Sequence, residues 1–293
     1  MNKLKLFLVM IIGVSVFISC SKDDDTPTTS DLEVDLSGLE VLGDNFVYEG
    51  WVIVDGSPIS TGRFTSVAFP QTFTVNTYDL TAATKFVLTI EPKIDSDTAP
   101  SDQKLIAGIF SGTTATISTA TAPAIGDFSA AAGQAFLRTP TDETGMNNGN
   151  DENGVWFGIP GMPPTDGLVL PTLPAGWVYE GWVIGDAGPI STGTFTEFNM
   201  VDSGNQFSGT QNNAGPPIPG EDFFLNAPAG ETFPLDIRGR KVVISIEPNP
   251  DNSPAPFLLK PLILDVSANA ATAPTTHNFV QNLGSFPTGT VTR

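Results

Sequence analysis

One stretch of this chain is written twice. YEGWVIVDGSPISTGRFT fills residues 48–65 and YEGWVIGDAGPISTGTFT fills residues 179–196; four of the eighteen positions differ, at a constant shift of 131 residues. A recurrence of that length means a duplicated structural unit, and it commits both halves of the chain to one architecture. Each copy reads as two strands around a turn. Residues 46–54 are apolar and aromatic, with Glu49 as the one acid. Asp55-Gly56-Ser57-Pro58 follows, replaced in the second copy by Asp186-Ala187-Gly188-Pro189. Asp, Gly and Pro turn a chain by side-chain bonding to backbone, access to positive φ and a preset φ. The returning strand, residues 59–67, is interrupted by Gly62 (Gly193 in the second copy), where a bulge or a close backbone approach is expected.

The match resumes downstream, where KFVLTIEP at 85–92 corresponds to KVVISIEP at 241–248. The shift is now 156, so the second unit carries about 25 more residues in between. Phe86, Leu88 and Ile90 alternate with Val87, Thr89 and Glu91, the period of a strand. Pro92 has no N–H to give to a ladder, so the strand ends there or lies at an edge. Asp95, Ala99, Pro100 and Lys104 recur as Asp251, Ala255, Pro256 and Lys260, which makes the following loop part of the unit.

Residues 105–110 and 113–119 read as a hairpin around Ser111-Gly112, and 257–266 as its echo. Further strands are expected at 134–138, 154–159 and within 279–293. No helical period of useful length occurs outside the N-terminus. Gly and Pro are abundant, 29 and 25 residues, and unperiodic. With Thr, Val and Phe common, this predicts an all-β chain of two tandem antiparallel β-sandwich domains, 32–165 and 166–293. The proline-rich stretch 160–174 reads as a stiff connection between them. The extra residues of the second unit, 202–234, are the place to look for something that only this unit does.

Residues 1–19 read as a signal peptide. Lys3 and Lys5 give a positive start, and the apolar run 6–17 is too short to span a bilayer. Phe17-Ile18-Ser19-Cys20 resembles the lipobox of bacterial lipoproteins, which implies cleavage before Cys20, a diacylglycerol on its sulfur and attachment to the outer membrane. Cys20 is the only cysteine, so the chain forms no internal disulfide. Ser21, Lys22, Asp23, Asp24 and Asp25 resemble the acidic signal that exports lipoproteins to the cell surface in one large group of Gram-negative bacteria. Residues 20–31 are then the lipidated cysteine and a polar tether. The formal charge of −19 sets the surface against phosphate backbones, so no nucleic-acid partner is expected.

Signals for chemistry are sparse. His277 is the only histidine, and no nucleophile motif surrounds it, so it reads as a loop residue. The same count rules out histidine-rich zinc sites. Glu49 and Glu91 recur as Glu180 and Glu247. Two carboxyls could serve a glycosidase if they stood roughly 5 to 9.5 Å apart. Persistence in both copies favours a structural role instead, with bonds to backbone or to Lys85 and Lys241. The loop 142–154 is dense in oxygen ligands, and Asp142, Glu143, Asn147, Asn150 and Asp151 make a candidate calcium set. Its spacing departs from the EF-hand and the second unit has no equivalent, so neither a metal nor a cofactor is expected. Trp51 and Trp182 lie within apolar strands and are expected in cores. Trp156 and Trp177 lie nearer strand ends and are the candidates for an exposed ligand contact, such as a stacked sugar.

Tyr-Glu-Gly-Trp-Val-Ile, then Gly-Pro-Ile-Ser-Thr-Gly-x-Phe, then Ile-Glu-Pro with its Pro/Asp loop, resembles the extracytoplasmic domain of anti-sigma-K factors (RskA type). The resemblance covers both units and implies an antiparallel β-sandwich for each. Those factors also carry a cytoplasmic sigma-binding domain and an internal membrane helix, neither of which is read in this sequence. The expectation is therefore a non-enzymatic, surface-exposed lipoprotein with a binding, adhesive or envelope-structural role and an envelope protein or glycan as partner. A carbohydrate-binding or carbohydrate-active lipoprotein is the alternative.

Overall fold

A computed structural model describes residues 28–210, 215–251 and 253–293. Cys20 and the 21–25 segment lie outside the described residues. The chain is nearly all β, with 41 % of residues in strands and 6 % in helices, in large antiparallel sheets. No helix among the described residues is long and apolar enough to cross a membrane.

β1 (Thr29–Ser37) opens the fold, so the last three residues of the expected tether, 29–31, are strand and pair with β4. β2 (Phe46–Val54) and β3 (Ser57–Phe64) form the predicted hairpin. Its register shifts at Gly50/Trp51, which makes Thr61 the extra residue of a bulge, and Gly62 follows at φ +129°. β4 (Gln71–Asn76) runs into the short helix α1 (Thr77–Ala82), capped by Asn76 Oδ1 accepting from the Tyr78 and Asp79 amides. Six residues are too few to print a 3.6 period, which is why the sequence does not show this helix. β5 (Lys85–Pro92) ends at its proline as expected, and β6 (Lys104–Ser111) and β7 (Thr114–Ile117) make the Ser111-Gly112 hairpin.

β8 (Ala132–Leu137) follows, then β9 (Gly154–Trp156), β10 (Gly158–Ile159), β11 (Thr165–Asp166) and β12 (Leu168–Val169). The stretch read as a plain connection thus carries strands: β11 pairs with β10, and β12 with β8. The second repeat supplies β13 (Trp177–Ile184), β14 (Pro189–Phe195), β15 (Gly220–Asp222), β16 (Lys241–Pro248) and β17 (Leu262–Asp265). β18 (His277–Asn278), β19 (Val280–Gln281) and β20 (Thr288–Thr292) complete the chain.

The first unit is one eight-stranded sheet, ordered β3-β2-β5-β6-β7-β20-β1-β4. It folds back on itself, and a Cβ on Gly62 of β3 would stand 3.3 Å from the Phe73 ring of β4. The second unit packs a five-stranded sheet, β14-β13-β16-β17-β19, beside a layer ordered β12-β8-β9-β15, with β18 also on β8. The boundary at 165/166 therefore does not separate the sheets. β8 comes from the first repeat and pairs in the second unit; β20 is the last strand of the second repeat and pairs with β1 and β7 of the first. At the 156-residue shift β8 maps onto β20, so the two repeats exchange the same strand. Gly133 of β8 stands opposite Leu168, and Gly289 of β20 opposite Leu36.

The exchange leaves an apolar core that runs through both units. Leu36, Ile117 and Val291 belong to the same buried cluster as Ala135, Leu168 and Phe279. Alternation fills it: Tyr48 and Val52 of β2 and Phe86, Leu88 and Ile90 of β5 point inward, as do Tyr179, Val183, Ile244 and Ile246 in the second unit. The residues between them, Glu49, Trp51, Thr89 and Glu91, share the opposite face.

Candidate functional site

That opposite face carries the same polar chain in both units. In the first, Trp51 Nε1 donates to Thr89 Oγ1 at 2.9 Å, and Thr89 Oγ1 donates to Glu91 Oε1 at 2.5 Å. The Ser101 amide, from the loop after β5, adds a bond to Glu91 Oε1 at 2.9 Å. In the second, Trp182 Nε1 donates to Ser245 Oγ at 2.8 Å and Ser245 donates to Glu247 Oε1. The Phe257 amide reaches both Glu247 oxygens, at 2.9 and 3.1 Å. Buried carboxylates survive desolvation only when bonded in this way.

The second acid of each pair closes the site. Glu49 Oε1 accepts from Ser60 Oγ at 2.5 Å, and Glu49 Oε2 accepts from Arg63 Nε at 2.6 Å. Arg63 also bridges to Asp95 Oδ2 through Nη2 at 3.0 Å. One guanidinium thus neutralises two carboxylates, Glu49 and Asp95, with the planar fork that suits it. Glu180 Oε1 likewise accepts from Ser191 Oγ, and Asp251 Oδ1 accepts from the Ser253 amide at 2.8 Å as Asp95 Oδ1 does from that of Asp97. The arginine, however, is replaced by Thr194, one of the four differences between the copies. Glu180 Oε2, the counterpart of the oxygen that meets Arg63, is buried without a hydrogen-bond partner among the described residues.

One oxygen each from Glu180, Glu247 and Asp251 lies within 4.8 Å of the others. Burial pushes the Glu180 carboxyl up to about 7, against the Ser191 bond, and the Asp251 charge adds to it. Burial likewise raises Glu247 to about 7, with the Asp251 and Glu180 charges contributing. Glu247 and Asp251 also line a groove of about 420 Å³ shared with Val41, Leu42 and Phe46 of the first unit.

The expected lysine partners are not the ones used. Lys85 Nζ donates to Ala122 O, and Lys241 pairs with Asp265, because both sit at the far ends of their strands from Glu91 and Glu247. Trp156 and Trp177 are also corrected. They are 3 % and 2 % exposed, so neither offers a ring face to a ligand. Trp156 packs with Phe136 and Ile218 and donates to Arg138 O at 3.0 Å; Trp177 lies against Phe257. Both strand ends are covered from elsewhere in the chain, Trp156 by Ile218 and Trp177 by Phe257.

The acids of the 142–154 loop are bonded within the loop and to the residues just before it. Asp151 Oδ1 takes the Thr139 amide at 3.1 Å, and its Oδ2 takes Asn147 Nδ2 at 2.5 Å. Asp142 Oδ2 accepts from Asn148 and Asn150, and Glu143 Oε2 pairs with Arg138 at 3.2 Å. Within the candidate calcium set the asparagine amides bond the aspartates, and the group of acids at metal-holding spacing among the described residues is the Glu180 one. The 202–234 insertion is largely a cover. β15 pairs with β9, and buried Asp222 accepts from the Thr141 amide at 2.9 Å and from Thr141 Oγ1 at 2.5 Å, tying the insertion to the first repeat. His277 bonds Ala271 O through Nε2 at 2.9 Å.

Fold and site together define an all-β protein of two interlocked β units, each with a Trp–hydroxyl–carboxylate chain on its outer face. No family model, no curated protein and no solved structure matches the chain.

Proposed function

We propose that this chain is a non-enzymatic surface lipoprotein, anchored in the outer membrane through Cys20, whose two modules bind a partner or build the envelope. Kinship with the outer domain of anti-sigma-K factors, without the sigma-binding part, belongs to the same proposal. The observation that carries the non-catalytic reading is the use of the recurring acids. Glu49, Glu91 and Glu247 each receive bonds that fix the strands and the loop after them, and a reacting carboxyl needs access to a substrate instead. The reciprocal strand exchange supports a scaffold role, since it ties both modules into one core. The burial of Trp156 and Trp177 removes the stacking surfaces on which the carbohydrate reading rested.

The test has two arms. Metabolic labelling with a palmitate analogue should mark the chain and fail on Cys20→Ser; labelling that persists overturns the anchor. Crosslinking on intact cells followed by purification should return a specific envelope partner. Turnover of a glycoside or ester panel by the purified chain, lost on Glu180→Gln, would overturn the non-enzymatic reading.

A further inference from the structure

The chain contains its own control for what Glu180, Glu247 and Asp251 are missing. In the first unit two of the equivalent acids, Glu49 and Asp95, hold a guanidinium between them, with Arg63 Nε at 2.6 Å from Glu49 and Nη2 at 3.0 Å from Asp95. Backbone and hydroxyl donors are conserved between the units: Ser60 by Ser191, Thr89 by Ser245, and the Asp97 amide by that of Ser253. Only the cation is lost, because residue 194 is threonine. The oxygen left behind is Glu180 Oε2, on a residue 6 % exposed, without a hydrogen-bond partner among the described residues. An unpaired buried carboxylate oxygen on a residue clustered with two more acids is costly unless a proton or a cation joins it.

We propose that Glu180, Glu247 and Asp251 form a divalent-cation site of the calcium class, in which the ion takes the place that the Arg63 guanidinium holds in the first unit. The geometry suits such an ion. Oxygens at 2.3–2.6 Å from Ca²⁺ on opposite sides lie about 4.8 Å apart, and the three ligand oxygens fall within 4.8 Å of one another. All three ligands are hard oxygens, which select calcium or manganese over thiophilic metals. Asp251, half-buried beside the groove, gives the ion its way in, and water from the groove completes the six to eight ligands calcium takes. The three ligands bind β13, β16 and the loop after β16 to one another, so the ion braces the loop as Arg63 braces residue 95. The site is independent of the 142–154 loop and of the surface reading above.

Titration calorimetry of the chelator-treated full chain with CaCl₂ tests this. One ion per chain should bind, with a rise in Tm of roughly 5 °C at a hundredfold excess over Kd. Tb³⁺ should give luminescence sensitised by Trp182, which bonds Ser245 and through it Glu247. Thr194→Arg, which restores the arrangement of the first unit, should abolish the heat and the luminescence while the chain stays folded. Glu180→Gln should weaken binding at least tenfold. Absence of binding by the parent chain, or binding that survives Thr194→Arg, overturns the proposal.

Discussion

Arg63 Nε stands 2.6 Å from Glu49 Oε2, and the second unit, with Thr194 in place of the arginine, does not reproduce this ion pair. Glu49 is buried and the arginine half-buried, so the carboxylate depends on its partner more than a surface acid would.

Arg63→Thr should therefore destabilise the chain by about 2 kcal/mol, the cost of leaving a buried acceptor unpaired. Glu49→Gln in the same background should return part of that loss by removing the stranded charge. Urea unfolding of the single and double variants measures both, and equal stability of wild type and Arg63→Thr would contradict the expectation.

Gly50 and Gly181 sit opposite the bulges, at equivalent places. A Cβ on Gly50 would meet Thr61 Oγ1 at 2.5 Å and the Phe86 ring at 3.0 Å, and one on Gly181 would meet the Phe157 ring and Thr192 Oγ1, both at 2.3 Å. Alanine at either position should cost about 1–3 kcal/mol through overpacking, with Gly181→Ala the worse of the two. Calorimetric Tm values rank them.

Glu221 is fully buried in the insertion, accepting from the Phe207 and Ser208 amides. Burial raises its carboxyl from 4.5 to about 8, with the Asp202 charge adding to it; Asp202 itself is raised by burial to about 7. Between the unfolded and folded values the native state holds a proton that the unfolded chain has lost. Unfolding free energy then falls as pH rises from about 4.5 to about 8, by up to about 1.4 kcal/mol per unit for one such group. Below this window the stabilisation is fully present, and above it the loss is complete. Glu221→Gln should flatten the slope of stability against pH over that range, and an unchanged slope would refute the assignment.

Truncation before Thr288 removes the strand that the second repeat lends to the first unit. Hydrogen exchange should then rise in β1 and β7, which pair with β20, while β13 and β16 stay protected. Loss of protection in the second unit first would mean that the exchanged strand does not carry the first sheet.

The repeat itself was legible in the sequence, and with it the all-β class, the β2–β3 hairpin, the bulge beside Gly62 and the strand that stops at Pro92. All of these are local: an alternating pattern or a turn residue fixes them within a few positions. The acids of the site were legible as recurring residues, Glu49, Glu91, Glu180 and Glu247, but their partners were not. Lys85 and Lys241 were near in the chain and far along the strand, whereas Arg63 approaches Glu49 across the hairpin.

What only the tertiary structure decided is where each strand goes and what covers it. Pairing of β20 with β1 joins Leu36 to Gly289 and pairing of β8 with β18 joins Ala135 to His277, far apart in the chain, and alternation carries no record of the partner strand. Trp156 and Trp177 turned out buried for the same reason, since the segments that cover them arrive from distant parts of the chain. The sequence determined the two faces of the repeated strands; three-dimensional packing determined which face found an arginine, and which was left with three carboxylates and no cation beside them among the described residues.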